Sequence, residues 1–195
     1  MDDSECLRGL VHLFQDLVAG DVPPRLHAVL RASFLSALAK PGSSTPRPVA
    51  NGEVFTKLAA LLVLDTVSPR LGEIFAEIQL GIGKAGGSER AVHVTQSWIH
   101  APGDYPLLIS ADVSNAFNCR NRAHVLTALY SHDVLSPLFP FVFWLYGQSS
   151  PLLYRSDDDF VTLLSETSVR QWLPPERPDF SRFRQYALPG ILRWH

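Results

Sequence analysis

Leu108-Ile109-Ser110-Ala111-Asp112-Val113-Ser114-Asn115-Ala116-Phe117-Asn118 is the stretch on which the reading of this chain turns. The apolar residues at its head, Pro106-Leu107-Leu108-Ile109, form a run too brief for a helix and rich in branched side chains. That predicts a short buried strand over 107–112. Such a strand delivers one carboxylate, Asp112, to its C-terminal end, followed by small and polar turn residues and then Phe117. A carboxylate at the tip of a buried strand suits a hard cation, because Mg²⁺ takes oxygen ligands from one or two carboxylates together with substrate phosphates. An aromatic five residues further on would wall the same pocket. Read without its surroundings, Asp112 caps the following turn and Phe117 is a core aromatic.

Outward from this stretch, 7–18 and 24–39 read as two helices split by Gly20-Asp21-Val22-Pro23. In the second, Pro24 suits a first turn, and Leu26, Val29, Leu30, Phe34, Ala37 and Leu38 recur at helical spacing. A breaker-rich loop covers 40–46, a short strand is expected at 47–50, and 53–67 reads as a largely apolar helix. Residues 74–80 fit strand or helix equally. Helices follow at 88–99, with Gly87 or Ser88 as N-cap, and at 122–132. The aromatic segment 138–146 reads as a buried helix, with Phe141 and Trp144, like Trp98, as core residues. Residues 152–154 and 160–164 flank a turn as a hairpin, and Asp157-Asp158-Asp159 belongs to that solvated turn. No internal repeat is visible.

At 195 residues, 46% hydrophobic and 18% charged, the chain is one domain or a large piece of one. A net charge of −2 speaks against a large nucleic-acid footprint, since phosphate binding draws on Lys and Arg. The only lysines are Lys40, Lys57 and Lys84, the other cations being arginines, the better phosphate fork. Cys6 and Cys119 have no paired spacing, so neither a disulfide framework nor a zinc site is expected. Met1-Asp2-Asp3-Ser4-Glu5 is acidic where a signal peptide is basic. The apolar runs 58–64 and 138–146 fall short of the roughly 20 residues of a membrane span. A soluble intracellular protein is the expectation, nuclear or cytoplasmic left open.

The stretch 108–118 resembles the first catalytic motif of reverse transcriptases, and most of all that of non-LTR retrotransposon polymerases, which often read "DFSNAFN" there. Further blocks follow the family in order from about residue 24 to Gln171. Ala37-Leu38-Ala39-Lys40 through Arg47-Pro48-Val49 is similar to the fingers hairpin, "AL-K…G…RPI". Residues 53–60 resemble the helix that follows it, and Gln79-Leu80-Gly81 the "Q-x-G" turn. Gly86-Gly87 through Ala91-Val92-His93 resembles "GG-E-A-VH", and 165–171 resembles the approach to "SE-GVRQGDP". Five ordered blocks around one aspartate are more specific than any one of them.

The resemblance implies an α/β (α+β) fold: helix-rich fingers and an incomplete antiparallel palm sheet of a right-hand polymerase, over 24–171. Residues 1–23 would be a helical lead-in and 172–195 an unrelated, poorly ordered tail. The implied activity is RNA-directed DNA synthesis on an RNA/DNA template–primer from dNTPs with Mg²⁺ (or Mn²⁺). Asp112, with the adjacent Val113, would hold metal. Lys40 and Arg47 would clamp the triphosphate, Phe117 would exclude a ribose 2′-hydroxyl, and Gln171 would lie near the template–nucleotide pair.

The chain departs from the family after Val169-Arg170-Gln171. Where the family has Gly, an acidic residue and Pro, it carries Trp172-Leu173-Pro174. The family's second catalytic motif, an aromatic-x-Asp-Asp hairpin, has no counterpart in 172–195. Two-metal phosphoryl transfer needs carboxylates bridging two cations roughly 4 Å apart, so Asp112 alone implies a truncated, inactive polymerase. A palm sheet cut at this point would leave an unpaired edge open to self-association.

Two other readings compete. Gly81-Ile82-Gly83-Lys84-Ala85-Gly86 matches the G-x-G-x-x-G of a dinucleotide-binding module, with Asp112 as its late acidic residue. That fingerprint also wants a preceding strand and a run of βαβ units. A non-catalytic interaction module that keeps part of the polymerase fold is the other. His93 and His100, two helical turns apart, make a poor zinc pair beside Pro102 and Gly103. His124 and His132 read as surface residues, and Cys119 has no His at nucleophile–base spacing. The abrupt loss of family character at Trp172 points to a frameshift. Translating the other frames from the Gln171 codon onward is expected to give a "GDPLGP"-like continuation, and its absence would remove that explanation.

Overall fold

The computed structural model describes residues 3–75, 79–81, 85–101, 107–113, 116–156 and 159–169, with Lys40 and Ser43 described by their backbone. Two helices, α1 (Asp3–Ala19) and α2 (Pro24–Leu30), lead into a hairpin of β1 (Ser33–Lys40) and β2 (Ser43–Gly52). Three helices follow: α3 (Val54–Phe75), α4 (Gly87–His100) and α5 (Arg122–Ser131). A 3₁₀ turn at Ser136–Leu138 runs into α6 (Phe139–Tyr146), and a second hairpin, β3 (Ser150–Ser156) and β4 (Asp159–Ser165), closes the described fold.

The core is helical. Phe14, Leu17 and Val18 of α1 meet Ala59, Leu62 and Val63 of α3 and Phe141, Trp144 and Leu145 of α6, with Val22 and Leu30 at the margin. α1 and the Val22 that follows it are therefore part of this core. Sharp helix starts and stops hold the layer together. Glu53 Oε2 accepts from the backbone N–H of Phe55 (2.7 Å) and Thr56 (3.2 Å), which satisfies two orphan donors at the start of α3. The buried Thr56 hydroxyl donates to Leu30 O at the end of α2 (2.7 Å). No helix among the described residues is long and apolar enough to cross a membrane.

The four strands form one mixed sheet in the order β2-β1-β3-β4. β1 is antiparallel to β2 (Leu35↔Ala50, Leu38↔Arg47) and parallel to β3 (Ser33↔Leu152, Leu35↔Tyr154). β3 and β4 are antiparallel, with Leu153 opposite Thr162. The fold is thus α/β as expected, but the sheet is mixed rather than antiparallel.

Several expectations change. The helix expected over 24–39 ends at Leu30, and the rest of its apolar stripe, Phe34, Ala37 and Leu38, lies on β1. β1 is an inner strand with hydrogen-bonded neighbours on both sides, and that tertiary pairing overrides a helical spacing. The strand expected at 47–50 extends over Ser43–Gly52, and α3 reaches Phe75, taking in Ile74 from the segment that fitted either state. α4 starts at Gly87, after Gly86 in the left-handed region (φ 66°). The largest change concerns 107–113, which carry no strand. Leu107 is 71% and Ile109 78% exposed, so the apolar run expected as a buried palm strand has no ladder partner among the described residues. Among the described residues the sheet edges are β2 and β4 instead. The helices expected over 122–132 and 138–146 and the hairpin expected from 152–154 and 160–164 are present, as α5, α6 and β3–β4.

Gly20 locks the first helix to the core. It sits at φ 72° and closes α1 through Gly20 N–H to Leu17 O (3.1 Å) and Asp21 N–H to Asp16 O (2.9 Å). A Cβ there would lie 2.8 Å from Pro140 O and 3.2 Å from Trp144 Cβ of α6. Gly20→Ala therefore combines a left-handed alanine with a backbone clash, at a cost of about 2 kcal/mol or more. Thermal unfolding followed by circular dichroism should show a midpoint lowered by roughly 4–8 °C.

Candidate functional site

Asp112 and Val113 lie on irregular, exposed chain. Immediately beyond them Ala116–Cys119 form a turn, and this turn is anchored at two points. Arg120 N–H donates to Phe117 O across the turn (3.3 Å), and Val169 N–H donates to the same carbonyl (3.3 Å). The aspartate loop is thereby joined to the segment that leads to Gln171, itself outside the described residues. The Phe117 side chain is half exposed, not a core aromatic.

Asn118 extends this join to the sheet. It lines a groove of about 530 Å³ with Leu35 and Ala37 of β1, Pro46 and Pro48 of β2, Tyr154 of β3 and Leu163 of β4. A smaller hollow beside it adds Ala50, Leu152, Ser165, Ser168 and Val169. The first hairpin, the turn after Asp112 and the segment 165–169 thus border one groove, and the Val169–Phe117 hydrogen bond ties the turn to the segment that follows β4.

The hairpin expected from 37–49 is present, with Gly42 at φ 73° in its turn. Lys40 ends β1, its backbone paired with Ser43, and Arg47 stands exposed on β2 opposite Leu38. Side chains alternate along a strand, so Arg47 projects from the face opposite to the one carrying Pro46 and Pro48. The groove therefore lies on one face of the sheet, and Arg47 stands on the other.

The residues that hold these parts together escaped the sequence reading. Arg122, 5% exposed, sits at the first position of α5, where the Asn121 side chain caps the helix by accepting from Ala123 N–H (2.8 Å). Its Nε donates to Ser168 O (2.9 Å) and its Nη1 to Gln148 O (2.9 Å) and Tyr146 O (3.5 Å). Nη2 donates to both Ser165 O and Ser165 Oγ (2.8 Å each), and the guanidinium lies 5.2 Å from the centre of the Tyr146 ring. Arg31, also buried, donates to Trp144 O (3.4 Å) and to Gln148 Oε1 (3.2 Å). Burial lowers the pKa of both arginines. At Arg122, Tyr146 and Glu166 oppose that shift and Arg31 adds to it. Both guanidiniums remain cations, since arginine titrates far above neutral pH. One signal was available: a cation at a helix N-terminus opposes the helix dipole, so Arg122 had to serve something other than its own helix.

The remaining candidates stay apart. His93, His100, His124 and His132 are exposed, and so are Cys6 and Cys119. Among the described residues no three His, Cys, Asp or Glu side chains come together in a way that could hold a metal ion. Asp159 accepts from the next backbone N–H, of Phe160 (2.7 Å), as a turn residue does; Asp157 and Asp158 lie outside the described residues. Among the described residues the element before the glycine motif at 81–86, part of which is also outside them, is the helix α3, and the sheet shows no βαβ series. A dinucleotide fingerprint requires both.

Compared with curated proteins, the chain is 29% identical over 158 residues to the retrotransposable element SLACS 132 kDa protein of Trypanosoma brucei gambiense. That alignment covers 80% of this chain and 13% of the relative, so the chain spans about an eighth of that protein's length. It supports a retrotransposon-related origin. No protein-family model matches the chain, and no solved structure does.

Removing the Arg122 guanidinium leaves a cluster of buried carbonyls without donors. Arg122→Ala is expected to cost about 3–4 kcal/mol, which is roughly 10 °C in the thermal midpoint. Arg122→Lys keeps the charge but not the planar fork and should recover less than half of the loss. Equal midpoints for Arg122→Ala and the parent chain would show that these hydrogen bonds do not hold the fold.

Proposed function

We propose that the chain is the fingers portion and first part of the palm of a retroelement reverse transcriptase, which holds part of a nucleotide site and is not a complete catalyst. The observation that carries this reading is the bond from Val169 N–H to Phe117 O, which ties the turn to the segment after β4, with Asn118 lining the groove along the first hairpin. Through it and the strand pairing of β4, β3 and β1, the turn that follows Asp112 is connected to the hairpin bearing Lys40 and Arg47. An enzyme that grips a triphosphate beside a growing strand needs such a connection, because cations and carboxylate must keep a fixed spacing as charge builds on the phosphates. The alignment with a retrotransposable-element protein over most of the chain supports the same reading.

In this scheme Arg47, on the face of the hairpin opposite the groove, supplies a planar fork to the triphosphate, and Lys40 supplies a point charge. Phe117 stands beside the sugar and Gln171 near the template–nucleotide pair. Asp112, with Val113 next to it, is the metal-side residue. An RNA/DNA template–primer and a deoxynucleoside triphosphate are the partners, and Mg²⁺ or Mn²⁺ is the implied ion. One carboxylate does not fit the two-cation arrangement of nucleotidyl transfer, and no transfer step is assigned to this chain by itself.

Two measurements test the reading. Calorimetric titration with a deoxynucleoside triphosphate in Mg²⁺ should give weak saturable binding. Arg47→Ala should weaken it about tenfold or more, since one charge-assisted contact contributes about 1.5–3 kcal/mol. Equal affinities for the two proteins would remove Arg47 from the site. Primer extension on poly(A) should be absent with both the parent chain and Asp112→Ala. Extension that Asp112→Ala abolishes would show that further carboxylates do reach the site.

A further inference from the structure

We infer that β4 is a docking edge for a second copy of this chain, which pairs with it as an antiparallel β4–β4 ladder and joins two four-stranded sheets into one of eight. The two edges of the sheet are built differently. β2 carries Pro46 and Pro48, which break the row of donors along its length, as protected edge strands do. β4, Asp159-Phe160-Val161-Thr162-Leu163-Leu164-Ser165, has no proline, no lysine and no charge between Phe160 and Leu164. Among the described residues nothing pairs with its outer side.

Both faces of this strand are open. Phe160 is 56% and Leu164 62% exposed on one face, and Val161 and Leu163 are each 46% exposed on the other. A strand that buries one face only shows alternation; β4 is exposed at every position but Ser165. Four large apolar side chains on an uncapped edge are a template for strand addition.

The sequence of β4 favours itself as the occupant. Thr162 is the centre of the seven residues, so a full-length antiparallel self-pairing places Thr162 opposite Thr162 of the partner subunit, an isologous arrangement with a two-fold axis through that pair. Phe160 then faces Leu164 of the partner subunit, and Val161 faces Leu163 of the partner subunit. Asp159 meets only Ser165 of the partner subunit. Every apolar residue gains an apolar neighbour, and no like charges are opposed. Phe34 of β1, in ring contact with Phe160 at 6.3 Å, continues the apolar strip inward on the same face. One seven-residue strand buries less than the roughly 800 Å² per partner of a stable complex. The dimer is therefore reversible, with a dissociation constant in the micromolar-to-millimolar range.

Light scattering across a concentration series tests this. The apparent mass should climb from 21.6 kDa toward twice that value as concentration rises. Leu164→Lys, a change at an exposed position, should hold the chain at the monomer mass. In a Cys6→Ser/Cys119→Ser background, Thr162→Cys with oxidised glutathione should give a disulfide-linked dimer that Ser44→Cys on β2 does not. A monomer at every concentration would overturn the inference and would mean that the edge is covered by the chain's own further residues. Association that survives Leu164→Lys without the Thr162→Cys cross-link would overturn it too, and would move the contact to another surface such as the apolar run 107–109.

Discussion

The C-terminus of α6 depends on two buried cations, and the rest of the molecule depends on that terminus. A helix ends with carbonyls that lack donors, and its dipole makes that end negative. α6 is an apolar, aromatic helix without a charged, amide or aliphatic hydroxyl side chain to answer this need. Arg122 and Arg31 answer it from elsewhere in the chain, taking Tyr146 O, Gln148 O and Trp144 O. Their hydrogen bonds run to carbonyls, a hydroxyl and an amide, so the charges are stabilised by oriented dipoles.

That cluster also sets where the sheet leaves the helical core. Arg31 lies two residues before β1 and Gln148 two residues before β3, and the contact between their side chains brings the two strand roots side by side. Parallel pairing of Ser33 with Leu152 follows, although more than a hundred residues separate the two strands. Arg122 takes the other end of the second hairpin through Ser165, and its own backbone N–H takes Thr167 O at 3.3 Å. One ionic knot therefore positions β1, β3, β4 and the start of α5. The turn after Asp112 precedes Arg122 directly in sequence, so its place over the sheet is a consequence of the same knot.

Legibility followed the range of the interactions. α5, α6 and the second hairpin were readable because their patterns are local: a short helical segment, an aromatic apolar run, two short apolar strands around an acidic turn. The first hairpin was readable only through its likeness to a polymerase block, because Phe34 and Leu38 keep helical spacing with Leu26 and Leu30 while sitting on a strand. The order of the site blocks was visible, but the side of the sheet taken by Arg47 was not, since that depends on the register with β1. Arg31 and Arg122 were invisible for a related reason. Their partners are backbone carbonyls far along the chain, and a carbonyl has no residue identity to read.

The exposed run 107–113 shows what a strand-like sequence lacks when it has no ladder. Leu107, Leu108 and Ile109 carry the composition of a buried strand, but a strand is stabilised by cross-strand pairs and by backbone hydrogen bonds to a neighbour. β1 has two such neighbours and keeps its strand against a helical spacing; 107–113 has none among the described residues and carries no strand despite a favourable composition. The two segments invert each other, which makes pairing, rather than propensity, the deciding term in this chain. The four-stranded sheet closes its own ladders and is anchored by Arg122. Among the described residues the Asp112 segment is anchored from its downstream side, at Phe117, and its upstream apolar residues remain a strand in composition alone.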